Sequence, residues 1–285
     1  MTRLQELEFR ILVEFDRVCK ELGLTYYLVC GSALGAAKYG GFIPWDDDID
    51  VALPRKEYEI FLEKGPLLLP EWAFVQNYRT DCQFPLLGTK IRDSRTTYVE
   101  RMCEKLPIHH GVFIDVFPLD EKWTTKKQYR KYLRMKRLFE ARRRVHLSYN
   151  RFSRETVFSF RTNYYFIMNR LFGLYADTRK VLTKYEAFLS SFSADDQGVW
   201  CNHANSCSEI EFAPKAQYGK GILMRFEELE VLVPEQIDAY LIQKYGDWRS
   251  ELPASEQFGH HHYYLCDLDK SYTEYFGDGE RGLFI

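Results

Sequence analysis

Residues 28–53 read LVCGSALGAAKYGGFIPWDDDIDVAL. The apolar run Tyr26-Tyr27-Leu28-Val29-Cys30 predicts a buried strand that stops at Gly31-Ser32, and Ala33 to Lys38 predicts a brief helix closed by Gly40-Gly41. Asp48-Ile49-Asp50-Val51-Ala52-Leu53 then predicts a second strand, ended by Pro54. Side chains alternate along a strand, so Asp48 and Asp50 share one face while Ile49 and Val51 turn to the core. Two carboxylates held that close repel each other unless a cation lies between them, and hard oxygen ligands suit Mg²⁺ or Mn²⁺. The Gly31-Ser32 turn adds close backbone approach, N–H donors and a hydroxyl, which together can seat a phosphate. Asp46 and Asp47 read more simply as a solvated acidic turn. A calcium loop would use Asp46, Asp48, Asp50 and Glu57, but Val51 stands where that loop needs glycine.

Working outward, Leu4, Leu7, Ile11, Phe15, Val18 and Leu22 recur at helical spacing before Gly23, so an amphipathic helix precedes the first strand. Leu86 to Arg92 and Val112 to Phe117 predict two further strands, with Asp93-Ser94 and Pro118 as their breakers. Asp115 lies inside the second of these, where an unpaired charge would be expensive. It therefore completes the metal set with Asp48 and Asp50, or else forms a structural ion pair. Asp120, beyond the proline, reads as a turn residue. Lys90 and Arg92 alternate onto one strand face; they either neutralise a diphosphate or form a solvated edge. From Thr124 to about Ser190 the pattern is helical, including the aromatic-rich stretch Tyr164 to Phe172, and after Asp195 it is mixed again, with a helix from Pro234 to Tyr245 stopped by Gly246. The expected class is α+β: a mixed-sheet core flanked by helices, with a largely helical middle. Three regions follow: a core over residues 1–120, a basic helical region over 121–195, and a mixed C-terminal region over 196–285 that packs on the core.

With 285 residues, 46% apolar and 28% charged, the chain is globular rather than disordered or low-complexity. The net charge of −2 hides an asymmetry, because residues 122–154 carry thirteen Lys and Arg against Glu140 alone. Such a helix suits lipid headgroups or an anionic glycan, or is a solvated face; no recognition motif accompanies it, which argues against nucleic acid. Seven scattered Cys without a CxxC argue against a disulfide framework and fit a reducing compartment. Cys201, His203 and Cys207, with Cys266 or His260 as a fourth zinc ligand, are too irregularly spaced for a zinc ribbon, so incidental thiols are the simpler reading. The start MTRLQELEFR has no apolar signal region and no stretch is long enough for a membrane span, so a cytoplasmic protein, at most peripheral at the inner membrane face, is expected.

Residues Leu28 to Phe61, the segment Lys90 to Thr97 (KIRDSRTT), the run Phe113 to Asp120 (FIDVFPLD) and the tail pattern Tyr240 to Pro253 followed by His260-His261 resemble the LicD family. Its members include bacterial phosphocholine transferases and, more distantly, fukutin-related ribitol-phosphate transferases. The resemblance implies a nucleotidyltransferase-like fold and transfer of a substituted phosphoryl group from a nucleotide diphosphate donor to a hydroxyl. It puts metal binding on Asp48 and Asp50, with Asp115 as the matching third acid. In the reading that follows, Gly31, Ser32, Lys90 and Arg92 meet the donor phosphates. The donor is CDP-choline or a related CDP-alcohol carrying ribitol, glycerol or a sugar phosphate. The acceptor is a cell-surface glycan (lipopolysaccharide, teichoic acid or capsule) or its lipid-linked precursor. Two rivals stand beside this: a nucleotidyltransferase, which would leave the nucleotide on its acceptor, and a non-catalytic scaffold on the same fold.

Overall fold

The computed structural model describes residues 1–104, 106–149, 178–194, 198–203, 209–259 and 261–276. In chain order the strands are β1 (Tyr27–Leu28), β2 (Asp50–Pro54), β3 (Ala73–Gln76), β4 (Thr89–Asp93), β5 (Thr97–Glu100), β6 (Val112–Glu121), β7 (Val199–Cys201), β8 (Phe212–Pro214), β9 (Ile222–Phe226), β10 (Leu229–Val233) and β11 (Tyr263–Asp267). The helices are α1 (Arg3–Leu22), α2 (Cys30–Tyr39), α3 (Arg55–Lys64), α4 (Lys126–Tyr149), α5 (Thr178–Ser190), α6 (Lys215–Tyr218), α7 (Ile237–Tyr245) and α8 (Thr273–Phe276).

The central sheet runs β1-β2-β6-β4-β3, and β7 and β8 extend it from the far end of β6. Among the described strands only β2 and β6 pair in parallel, so the sheet is mixed, as expected of an α+β fold. Those two strands are buried along nearly their whole length, which explains their almost continuous apolar sequences. Helix α1 lies against β6 and β4. It is started by a capping box between Thr2 and Gln5 and ended by Gly23 at φ 66°, a left-handed position that glycine takes without strain. Its Phe15 meets Phe61 of α3 edge-on at 5.0 Å, joining both helices over the sheet.

Strand β6 departs from expectation by continuing through Pro118 to Glu121. The N–H of Asp115 donates to the Ile49 carbonyl on the β2 side (2.8 Å), so even-numbered residues of β6 direct their backbone groups toward β4. Strand β4 ends opposite Val116. The missing N–H of Pro118 therefore falls where no ladder partner waits, and proline is tolerated. Asp120 is accordingly a fully buried strand residue rather than a turn. Its carboxylate accepts two bonds from Arg55, Nε and Nη2, both at 2.7 Å, while Arg55 also reaches Glu186 of α5 (3.0 Å).

The basic helix α4 packs through Tyr132 against Leu182, Tyr185 and Leu189 of α5. On its other side Lys126, Lys127, Arg130, Arg134 and Arg137 are exposed, while Lys131, also exposed, sets its ammonium over the Phe188 ring of α5 (4.5 Å). The aromatic stretch Tyr164 to Phe172 lies outside the described residues. No helix among the described residues is long and apolar enough to cross a membrane.

Candidate active site

Strand pairing builds the site. In the parallel ladder Asp50 of β2 stands opposite Asp115 of β6, and in the antiparallel ladder Lys90 of β4 stands opposite the same Asp115. Residues opposite one another on neighbouring strands point to the same side, so Asp50, Asp115 and Lys90 form one row across three strands. Asp48 is not on the strand, because β2 begins at Asp50. It stands on the segment leading in, with Ile49 buried between the two acids. One carboxylate oxygen from each of Asp48, Asp50 and Asp115 lies within 4.8 Å of the others.

Helix α2 supplies the opposing wall. Its first turn contains Gly31 and Ser32, and the Ser32 hydroxyl accepts the backbone N–H of Asp50 (2.8 Å), fixing the helix start to the strand start. A Cβ at Gly31 would lie 2.9 Å from a carboxylate oxygen of Asp46, so the close approach needs glycine. From α1, Gln5 donates its side-chain amide to the carbonyls of Ile43 (3.3 Å) and Asp46 (3.0 Å), holding the loop that carries the acids.

The charges in this place do not balance. Lys90 is buried and donates to Asp115 (3.0 Å), but it also serves Glu100 (3.4 Å). Burial, then the charges of Asp48 and Asp115, raises the Asp50 carboxyl well above the usual carboxylate range. Asp48 is pushed up to about 6 by burial, with His261 opposing and Asp115 adding to the rise. Burial, Asp48 and Asp47 push Asp46 up to about 7. Glu8 of α1 is buried with Oε2 lacking a hydrogen bond. Its carboxyl is raised well above the ordinary value by burial and then by Asp48, Asp47, Asp46 and Asp115. A divalent cation would relieve this repulsion, and the donor set, all carboxylate oxygens, suits a hard ion of that kind.

Arg92 is also buried, but it is separated in role from Lys90. It donates to Glu100 (2.6 Å), to the Gly111 carbonyl (2.7 Å) and, from Nε, to Gln76, so every guanidinium nitrogen has a partner within the protein. Neither residue forms a solvated edge, because β4 lies inside the sheet and both side chains are covered. Cys201 and His203 approach to 3.6 Å near the far end of β6, whereas Cys207 and His260 lie outside the described residues.

Two contributors join these, His261, which the sequence marks within the His260-His261 tail pattern, and Glu100, which it does not single out. His261 donates its backbone N–H to Asp47 (3.0 Å) and sets its ring Nδ1 3.4 Å from Asp47 and 3.7 Å from Asp48. Burial disfavours its charge, but Asp47 and Asp48 outweigh that and raise its pKa to about 9, so the ring is a cation at neutral pH. The acids Asp46 and Asp47, read as a solvated turn, are thus partly buried parts of the site. Glu100 is the second, linking Lys90 to Arg92. The sequence marks His261 through that tail pattern and a three-histidine run, without a spacing relation to Asp48.

A cavity of about 460 Å³ opens beside Asp46, Asp48 and Asp50 and extends between α2 and the chain following α7. The arrangement can bind a divalent cation, receive phosphate oxygens at the start of α2, and admit a substituent into this cavity.

A family model described as LicD/FKTN/FKRP, nucleotidyltransferase domain, matches residues 23–171. The lipopolysaccharide cholinephosphotransferase LicD of Haemophilus influenzae (strain ATCC 51907 / DSM 11121 / KW20 / Rd) is 28% identical over 259 residues, covering 88% of this chain and 92% of that protein. The likeness therefore runs well beyond the segments that first suggested it.

Proposed function

The chain belongs to the LicD/FKTN/FKRP nucleotidyltransferase family and is a LicD-type phosphotransferase; from that premise we propose that it transfers phosphocholine from CDP-choline to a hydroxyl of lipopolysaccharide or of a lipid-linked precursor glycan. In this reading Asp48, Asp50 and Asp115 hold Mg²⁺ or Mn²⁺. The observation that carries it is the in-register placement of Asp50 against Asp115 with Asp48 alongside, three buried or half-buried carboxylates whose mutual repulsion calls for a cation.

The bound ion would supply positive charge at the donor diphosphate and favour the alkoxide-like form of the acceptor. The chain's own residues do the rest. Backbone N–H groups in the first turn of α2, at Gly31 and Ser32, face phosphate oxygens with the positive end of the helix dipole. Lys90 keeps Asp115 oriented and adds a fixed positive charge beside the reacting phosphoryl group. Arg92 acts one step back, holding Glu100, which in turn holds Lys90. The acceptor oxygen attacks the distal phosphorus, the phosphoanhydride bond to CMP breaks, and a carboxylate of the cluster takes the hydroxyl proton. His261 holds Asp47 through its backbone N–H and sets its ring beside Asp47 and Asp48, which helps to position the acid loop. The exposed basic face of α4 supports a peripheral contact with an anionic membrane or glycan at the cytoplasmic side.

The test is ³¹P NMR of the protein with Mg²⁺, extracted lipopolysaccharide and, in turn, CDP-choline, CDP-ribitol and CDP-glycerol. Release of CMP from CDP-choline together with a new phosphodiester signal on the glycan is expected. Transfer of the cytidylyl half instead would replace this reading with nucleotidyl transfer. Reaction with another donor only would reassign the transferred group.

A further inference from the structure

Backbone geometry at the end of β1 sets Cys30 apart. It turns the chain from strand into helix α2 with φ 52°, a left-handed conformation that a residue with a Cβ adopts only against a cost. Its neighbours are tied to the start of β2: the Val29 N–H donates to the Asp50 carbonyl (3.0 Å), and the Ser32 hydroxyl accepts the Asp50 N–H (2.8 Å). Cys30 is the bend between these two fixed points.

What holds the bend comes from 210 positions further along the chain, where the buried Tyr240 of α7 accepts the Cys30 N–H at its hydroxyl (3.1 Å). Four residues on, and so on the same face of α7, Lys244 sets its ammonium 3.6 Å from the Cys30 sulfur and donates to Glu211 (2.8 Å). Lys244 and Glu211 are both nearly buried, so the pair is a fixed part of the interior. One helix face thus grips Cys30 by its backbone and by its side chain.

The amides that follow lie on the wall of the cavity beside the acids, which Cys30 and Gly31 both line. The Ala33 N–H returns to the Val29 carbonyl (3.1 Å) and the Cys30 N–H is taken by Tyr240, whereas the N–H groups of Gly31 and Ser32 make no hydrogen bond among the described residues. Their direction is set by the torsions of Cys30, and a turn of that residue to negative φ would swing both away. Val29, at the cap position of α2, has no side chain able to tie the turn down.

We propose that Tyr240 is a positioning residue for phosphoryl transfer: by holding Cys30 left-handed, with Lys244 seated against the thiol, it aims the Gly31 and Ser32 amides at the donor diphosphate. The inference rests on reading those amides as the phosphate seat, and it names the residue that presents them.

The test is calorimetric binding of CDP in Mg²⁺. Tyr240→Phe keeps the ring and loses the hydroxyl, and is expected to weaken CDP about tenfold. Adding Cys30→Gly should bring affinity back to within about threefold of wild type, because glycine holds φ 52° unaided. Adding Cys30→Ala instead, which removes the same thiol but keeps a Cβ, should not. A role of Tyr240 in packing alone would not separate glycine from alanine, and the two double variants decide the question even if Tyr240→Phe alone does not fold. Amide NMR of ¹⁵N-labelled protein reads the seat itself: CDP should shift the Gly31 and Ser32 resonances in wild type, and much less in Tyr240→Phe. Unchanged CDP affinity in Tyr240→Phe, or no difference between the glycine and alanine double variants, would overturn the inference while the phosphate seat stands. Wild-type protein that binds no CDP, or binds it without shifting those two resonances, would overturn the seat and the positioning role with it.

Discussion

Two buried aspartates five positions apart on β6 live under opposite conditions. At Asp120 a single guanidinium meets both carboxylate oxygens at 2.7 Å and goes on to Glu186 and Glu59. At Asp115 one ammonium is divided between two acids, and Asp48 and Asp50 stand in the same space. The first arrangement is closed: both oxygens of Asp120 are met by a guanidinium, and Arg79 joins Arg55 on Glu59 and Glu186, so each acid has a charged donor. The second is left with excess negative charge that the fold itself does not compensate. One strand thus carries a structural acid and a candidate ligand acid, and partner geometry tells them apart where residue type does not.

Breaking the open end should give the largest effect. Asp50→Asn removes a carboxylate that is held partly against its preference. Phosphotransfer is expected to fall on the order of a thousandfold or more, with urea stability equal to or above that of wild type. A variant that simply unfolded would instead make Asp50 part of the scaffold. The opposite outcome belongs to the closed end. Asp120→Asn leaves Arg55 buried without its bidentate partner and should cost about 3–5 kcal/mol in urea titrations, with turnover per folded molecule nearly unchanged.

Acidity sharpens the contrast further. Because the folded pKa of Asp48 is raised to about 6, the folded protein holds a proton there that the unfolded chain has given up between pH 4 and 6. Ionising Asp48 therefore costs stability as pH rises through that window. In EDTA, Asp48→Asn should gain on wild type by about 1–3 kcal/mol between pH 4.5 and pH 7. Taking the difference between the two proteins cancels the titrating groups remote from Asp48 and leaves its own ionisation together with that of the neighbours it shifts, Asp46, Asp50, Glu8 and His261; a flat difference would remove the excess-charge argument. The smallest effect is expected at the rim of the closed network. Glu59, half-exposed and paired with Arg55 and Arg79, should cost under about 1 kcal/mol as Glu59→Gln, measured in the same titration.

What the sequence made legible is what a strand encodes locally. Alternation placed Asp48 and Asp50 together, the apolar surroundings of Asp115 marked it as costly, and Gly31-Ser32 announced a tight approach. The small error, starting β2 at Asp48, did not matter because the segment leading in keeps the same alternation. Pairing was not legible. No local pattern sets Asp50 opposite Asp115 across 65 positions, or makes Arg55 the partner of Asp120. That missing partner is why Asp120 read as a turn residue and Pro118 as a stop. Arg92 and Lys90 looked equivalent by spacing, but only Lys90 faces the acids, since Gln76, Gly111 and Glu100 surround Arg92. The walls of the cavity come from positions near 40 and near 247, a distance at which periodicity says nothing.

His261 reaches Asp47 across 214 positions of chain. A polypeptide emerging from the ribosome completes β2, β4 and β6, with all three acids, when fewer than half of its residues have been made, and must keep them without this histidine until β11 returns to pair with β5. During that interval the nascent core carries its negative charge with one counter-cation fewer, so divalent ions in the surrounding solution would favour the core's early closure before the C-terminal segment replaces part of their work.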